Sequence, residues 1–246
     1  MSDIITIDIG NTRVKAVVFS GDGEVISCHV DPNLEDLLEK YKESRIIYSS
    51  VRRMDGVDFS EGQFSLLKEQ GAIEFGISLC GVLDIGIQGV ETLGRDRLAG
   101  MMAARYLKPG LNCLVIDAGT CLTYDYLGFD GFYGGGSISM GMDMRYRSLN
   151  EFTQKLPRLY ATDLGAETMV GRDIGDRTNA AIHSGILGGL FDELNARTDR
   201  FKAEFANSAI ILTGGDADFL VKHIKNEIFV EPLLVHYGLY YALHSV

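Results

Sequence analysis

The chain has 246 residues, 46% of them hydrophobic, ordinary usage for a soluble globular protein with apolar mass for one generous core or two modest ones. A formal net charge of −11, with no Lys/Arg cluster to interrupt it, argues against nucleic-acid and membrane partners, which demand basic faces. No apolar run reaches the ~18 residues of a membrane span, no secretory leader pattern follows Met1, and Cys28, Cys80, Cys113 and Cys121 show no Cys-x-x-Cys spacing, so a cytoplasmic protein with reduced, packed thiols is expected.

In chain order, Ile4 to Ile7, Val14 to Phe19 and Glu24 to Val30 are separated by turns at Gly10 and Gly21-Asp22-Gly23, the pattern of a three-strand meander. Pro32-Asn33 then opens a helix with Leu34, Leu37, Leu38 and Tyr41 on one face. Asn33 suits its N-cap, and Glu35 and Asp36 occupy the first turn, where the dipole favours them. Ile46 to Ser50 reads as a short buried strand, Phe59 to Gln70 as a helix, and Ile73 to Gly86 as extended and irregular. A helix over Arg97 to Leu107 ends at Pro109-Gly110. The opening then repeats: Cys113 to Ile116, Cys121 to Leu127 and Tyr133 to Met140 form a second meander, and a helix from Asp143 to Gln154 follows it. A long helix from Thr178 to Ala206, a strand from Ala209 to Leu212, a helix through Val221 and a closing helix from Leu233 to Leu243 complete the chain. The boundary near Lys108 to Asn112 divides it into an N-terminal lobe, 1–110, and a C-terminal lobe, 111–246.

Each meander carries the same phrase at its first turn: Asp8-Ile9-Gly10-Asn11-Thr12 and, 117 − 8 = 109 residues on, Asp117-Ala118-Gly119-Thr120. Either alone reads as a tight hairpin, because Gly supplies positive φ and Asn or Asp tolerates turn geometry. The pair suggests two related half-domains that face each other across a nucleotide cleft. A carboxylate at a strand end can hold hydrated Mg²⁺, Gly10 lets backbone N–H groups approach an oxyanion, and Asn11, Thr12 and Lys15 add donors. Thr213-Gly214-Gly215, after the run Ile210-Ile211-Leu212, leaves room for a flat base or ribose against the backbone. His29, His183, His223, His236 and His244 stand at no metal-ligand spacing and read as surface or cap residues. Gly188-Gly189 suits close helix packing, within the chain or across a dimer, rather than phosphate binding, and Met101, Met102, Met140, Met142 and Met144 read as core filler.

This ordered set of loops resembles the acetate kinase, sugar kinase, Hsp70 and actin superfamily. The implied fold is α/β, with two ribonuclease H-like lobes, each a mixed sheet with a three-strand meander flanked by helices, and a nucleotide cleft between them. Closer likeness lies in Leu93-Gly94-Arg95-Asp96-Arg97, in Ile116 to Thr123, and in Gly135-Gly136-Ser137-Ile138-Ser139-Met140-Gly141-Met142. Met144-Arg145, Gly175-Asp176-Arg177-Thr178 and Gly214-Gly215-Asp216-Ala217 extend it, so that essentially the whole chain resembles the type III pantothenate kinases.

The resemblance implies ATP-dependent phosphorylation of pantothenate at its primary hydroxyl, the first committed step toward coenzyme A, by a cytoplasmic homodimer. It makes Asp96 the proton acceptor, with Gly94, Arg95, Asp96, Arg97 and Thr178 around the substrate. Arg97 suits a substrate that bears a carboxylate, because guanidinium offers paired donors. Asp8, Ile9, Gly10, Asn11, Thr12, Arg13, Val14 and Lys15 become the first phosphate loop, and Thr120 a further ATP contact. Asp117 matches the position that binds a monovalent cation, K⁺ or NH₄⁺, and Asp8 would hold Mg²⁺ through the phosphates. Two departures stand out: Ile85 to Glu91 lacks the substrate-binding Tyr common before the Gly-x-Asp-Arg block, and Met140 replaces a Pro. Two alternatives stay open, a kinase of the same fold for another small hydroxy acid and a non-catalytic ATP-binding regulatory relative.

Overall fold

A computed structural model describes residues 2–10, 12–50 and 61–244. Asn11 of the expected phosphate loop and the start of the helix expected from Phe59 lie outside the described residues. The chain forms two compact units: Met1–Gly110 with Asp130–Gly134 and Leu233–Val246, and Leu111–Phe129 with Gly135–Pro232.

In the first unit, β1 (Ile4–Ile9), β2 (Val14–Phe19) and β3 (Val25–Val30) form the antiparallel meander. Helix α1 (Leu34–Lys40) returns the chain to β4 (Arg45–Ser50), which lies parallel to β1, and α2 (Glu61–Glu69) leads to β5 (Ile73–Glu74). The sheet order is β3-β2-β1-β4-β5. The Asn33 side chain caps α1 by accepting the Glu35 and Asp36 N–H groups at 3.0 and 3.4 Å. One face of the sheet buries Ile5, Ile7, Ile9 and Val18 under Leu34, Leu38, Phe64 and Leu67. The short strand β6 (Asp84–Ile85) pairs in parallel with the start of β9 (Phe132–Met140). Helix α3 (Arg95–Leu107) and the closing helix α7 (Leu234–His244) cross so tightly that a Cβ on Gly238 would lie 1.9 Å from the Ala99 carbonyl oxygen. Only glycine admits such an approach. α7 also packs on β1, β2 and β4, so that both faces of β1 are covered, which explains why Ile4 to Ile7 are all buried, Thr6 among them.

The second unit repeats the plan. β7 (Asn112–Ala118) pairs antiparallel with β8 (Cys121–Leu127), and β10 (Ser208–Thr213) and β11 (Phe229–Val230) extend the sheet in parallel on the other side of β7. β9 follows β8 in the order β11-β10-β7-β8-β9. α4 (Met142–Glu151) follows the meander, and α6 (Ala217–Leu220) follows β10. α5 (Thr178–Glu204) presses Leu187, Leu190 and Leu194 into a core with Ile116, Leu122, Ile210 and Leu212. No helix among the described residues is long and apolar enough to cross a membrane.

Several expectations need correction. Cys28 is exposed because β3 is an edge strand, whereas Cys80 and Cys113 are buried. Met140 is 46% exposed, since the alternation of β9 turns Ile138 and Met140 outward. His183 and His236 are buried, each hydrogen-bonded to a hydroxyl, that of Tyr146 and of Thr6 respectively. No described atom comes within 4 Å of a Cβ placed on Gly188 or Gly189, so the close packing expected of this pair is not made among the described residues and would fall to a second copy.

Candidate active site

Asp8 sits next to last in β1, opposite Lys15 of β2 and Ser49 of β4, so the three side chains emerge in a row on one face of the sheet. The Ser49 hydroxyl donates to Asp8 Oδ1 at 2.8 Å. Burial pushes the Asp8 carboxyl up to about 6; the Ser49 hydrogen bond opposes that rise, the Asp96 charge adds to it, and Lys15 counters. Within the first unit, then, the Asp96 charge is felt at Asp8. Between β1 and β2 the Gly10 N–H donates to the Arg13 carbonyl at 3.1 Å and closes the turn. Thr12 and Arg13 are exposed on it, Lys15 and Val14 are half-buried, and Ile9 is sealed in the core and can offer only its backbone.

Asp96 lies in the first turn of α3, where the helix dipole favours a negative charge. Its Oδ1 accepts the Arg97 N–H at 2.8 Å. A Cβ on Gly94 would sit 2.5 Å from that same oxygen, so glycine vacates the space the carboxylate needs. Arg95 turns the other way and pins the helix start to the β5 segment, pairing with Glu74 at 3.2 Å and donating to the Phe75 carbonyl. In the stretch without an aromatic, the ring of Phe132 fills the place of a side chain on Gly86, within 2.4 Å of its Cβ position.

In the second unit, Asp117 lies near the end of β7, and the Gly119 N–H donates to the Cys121 carbonyl at 2.9 Å to form the matching turn. Gly214, at φ +96°, brings its backbone against this turn: a Cβ there would stand 2.5 Å from Asp117 Oδ1 and 2.3 Å from the Ala118 oxygen. The Asp216 N–H donates to the Ala118 carbonyl at 3.0 Å, and Gly141 N–H to that of Thr120 at 3.2 Å. Burial first, then the Asp143 charge, raises the Asp216 carboxyl above its ordinary range. Thr178 opens α5 beside Arg177 and Asn179, which with Asp176, Arg172 and His183 help line a cavity of about 430 Å³. The described residues hold no group of three His, Cys, Asp or Glu able to ligate a metal, so a cation here would draw on phosphate oxygens and water as well.

Ser49 carries site geometry that the sequence reading missed, and Asp216 was read only as part of the Gly214 to Ala217 block, with no role of its own. Ser49 follows an apolar run like any strand-ending serine, and only the β1/β4 register sets it against Asp8. Asp216 had a signal in its Gly-Gly-Asp context.

The family model for type III pantothenate kinase matches residues 4–200. The chain belongs to the type III pantothenate kinase family. The type III pantothenate kinase of Flavobacterium johnsoniae is 37% identical over 232 residues, 92% of this chain and 91% of that one. That of Phocaeicola vulgatus is 34% identical over 245 residues, 96% and 95% of the two chains. The structure of a glucokinase from an Antarctic psychrotroph aligns over 100% of both chains with a TM-score of 0.53 and 11% identity, a likeness of fold alone. The two mixed sheets of this kinase are therefore those of the sugar kinase and actin-like ATPase architecture. Its first unit carries Asp8, Ser49 and Asp96, and its second Asp117, Thr120, Thr178 and Gly214.

Proposed function

We propose that this protein phosphorylates pantothenate at its primary hydroxyl with ATP, the first step toward coenzyme A. The observation that carries the assignment to residues is the pair Asp8 and Asp96, two carboxylates that sense each other within one unit, one at a strand end beside a turn, the other on a helix start. Asp96 accepts the hydroxyl proton as that oxygen attacks the γ-phosphorus and the bond to the bridging oxygen of ADP breaks. The space left by Gly94 and the rigid first turn of α3 hold the carboxylate ready. Arg97 meets the substrate carboxylate, and Gly94, Arg95 and Thr178 shape the rest of its site.

Asp8 through Lys15 and Thr120 bind the ATP phosphates. Asp8 fits a divalent cation: a carboxylate lifted to about 6 by burial and by a second negative charge is relieved by a nearby positive one. Mg²⁺, when bound, supplies that charge and screens the phosphates. Asp117 takes the monovalent cation, K⁺ or NH₄⁺. Homodimer formation is supported by apolar surface on the second unit, where Phe152, Leu164 and Ile174 are 84, 106 and 85% exposed. Gly185, Gly188 and Gly189 leave open space along α5 for a second copy.

Incubation with ATP, Mg²⁺, K⁺ and pantothenate should release ADP and phosphopantothenate, and Asp96→Asn should lower turnover by about a hundredfold or more while ATP still binds. A pure protein without turnover under those conditions would overturn the assignment. The missing aromatic between Ile85 and Glu91 favours one second reading, another small hydroxy acid as acceptor. Comparison of rates across such acids decides between them.

A further inference from the structure

Arg145, half-buried in the first half of α4, reaches back across the end of β9. Its Nε donates to the Met140 carbonyl at 3.0 Å, and its Nη2 donates to Ser139 Oγ at 3.2 Å and to the Glu193 carboxylate. Glu193 Oε2 also accepts the Ser139 hydroxyl at 3.3 Å, and Glu193 Oε1 lies 3.5 Å from Arg197 Nε. Arg197 in turn donates to Ser137 Oγ at 2.8 Å and stacks its guanidinium on the Tyr124 ring of β8 at 4.2 Å. One carboxylate from α5 therefore organises two guanidinium groups, and these grip alternate residues of a single strand. Burial is the largest influence and would raise the Glu193 carboxyl, but the hydrogen bond and charge of Arg145, joined by the Ser139 hydroxyl, together hold the group below its ordinary range.

The gripped strand ends against the second phosphate turn. Gly141 follows Met140, its N–H donates to the Thr120 carbonyl at 3.2 Å, and a Cβ there would stand 2.1 Å from the Gly119 oxygen and 2.4 Å from that of Thr120. Backbone meets backbone with no side chain between, so a movement of residue 140 passes directly to the turn. Met140 lacks the ring that would restrict φ, which leaves its carbonyl to be fixed by non-covalent contacts. We infer that Arg145, held by Glu193, is a positioning residue for ATP: by capturing the Met140 carbonyl it sets the end of β9 and, through Gly141, the Gly119-Thr120 turn. This rests on the proposal that Thr120 contacts ATP.

The test uses the full chain in the ADP-release assay, with ATP and pantothenate varied separately and folding checked by circular dichroism. Arg145→Ala should raise KM for ATP by about tenfold, the weight of a charge-assisted hydrogen bond, and KM for pantothenate by less than about twofold. Glu193→Gln, which keeps an acceptor for Arg145 but removes the charge, should move KM for ATP in the same direction by about threefold, and it carries the test should Arg145→Ala not fold. Equal shifts in both KM values, or an unchanged KM for ATP in the folded variants, would overturn the inference. Thr120→Ala separates it from the reading beneath: an unchanged KM for ATP in that variant removes both, whereas a raised value there beside a normal one in Arg145→Ala and Glu193→Gln removes the positioning role alone.

Discussion

Ser49 and Asp8 lie side by side because β1 and β4 run parallel in a register that makes them partners, and the Ser49 hydroxyl spends its proton on the Asp8 carboxylate at 2.8 Å. That single bond opposes the burial that lifts Asp8 toward neutrality. The sheet thus builds into one row both the desolvation that makes the charge costly and a donor that sustains it.

If ionised Asp8 supports ATP binding, kcat/KM for ATP should rise with pH through about 6. Ser49→Ala removes the contact that lowers the carboxyl, so the acid limb should move to higher pH by about one pH unit. A pH profile of initial rates checks this, and superimposable profiles would refute it.

Gly94→Ala places a methyl group where Asp96 Oδ1 now lies, 2.5 Å from the new carbon. Because Gly94 has φ −55°, the backbone accepts alanine without strain, and the melting temperature should stay near that of the native protein. The carboxylate has to swing aside, and kcat should fall by about a hundredfold with little change in KM for ATP, as expected when a reacting group is misplaced by about 1 Å. Steady-state kinetics next to a thermal melt separates the two effects.

Gly214 and Gly215 offer an internal contrast. At Gly214 alanine faces both a left-handed backbone and the Ala118 oxygen at 2.3 Å, whereas at Gly215 no described atom lies within 4 Å. Gly214→Ala should cost at least about 2 kcal/mol and lower the melting temperature by about 5 °C, while Gly215→Ala stays close to the native value. Equal stability of the two variants would show that the close approach at Asp117 is not maintained in solution.

His236 contributes to acid sensitivity. Burial, with Lys15 adding in the same direction, pushes its imidazole down to about 3, and Nε2 has no hydrogen-bond partner among the described residues. Below its ordinary value of 6.5 the unfolded chain binds a proton that the folded one refuses, so this stability is present at neutral pH and lost as pH falls from about 6.5 toward 3. His236→Gln should lose about 2 kcal/mol less than the native protein between pH 7.5 and 4.5, as read by urea denaturation at both pH values. Asp8 has the opposite sign between about 4 and 6, and taking the difference between variant and native protein cancels it.

Much of the fold was legible in the sequence because its signals are local. Both meanders, the Asn33 cap, the helix stop at Pro109-Gly110 and the long α5 all follow from turn residues and apolar periodicity within a few positions of where they act. Two of the histidines, His183 and His236, were misread for the converse reason. His236 looks like any polar residue on a terminal helix until α7 is laid on β1 and its Nδ1 meets Thr6 at 2.8 Å, 230 residues away in sequence. Met140 was misread because β-strand alternation depends on which face is covered, and that is decided by α4 and α5.

By itself, then, the sequence determined the order of elements, the acid-tipped turn at the head of each meander and the carboxylate at the start of α3, since side-chain chemistry and backbone preference reside in neighbouring residues. The tertiary structure alone decided that Ser49 stands beside Asp8, that α7 joins the first unit, and that Arg145 and Glu193 clamp the strand leading to Thr120. Register and cross-element contacts join residues 41 to 230 positions apart, and the free energy that selects them belongs to the packing of the whole sheet and its helices rather than to any short stretch of chain.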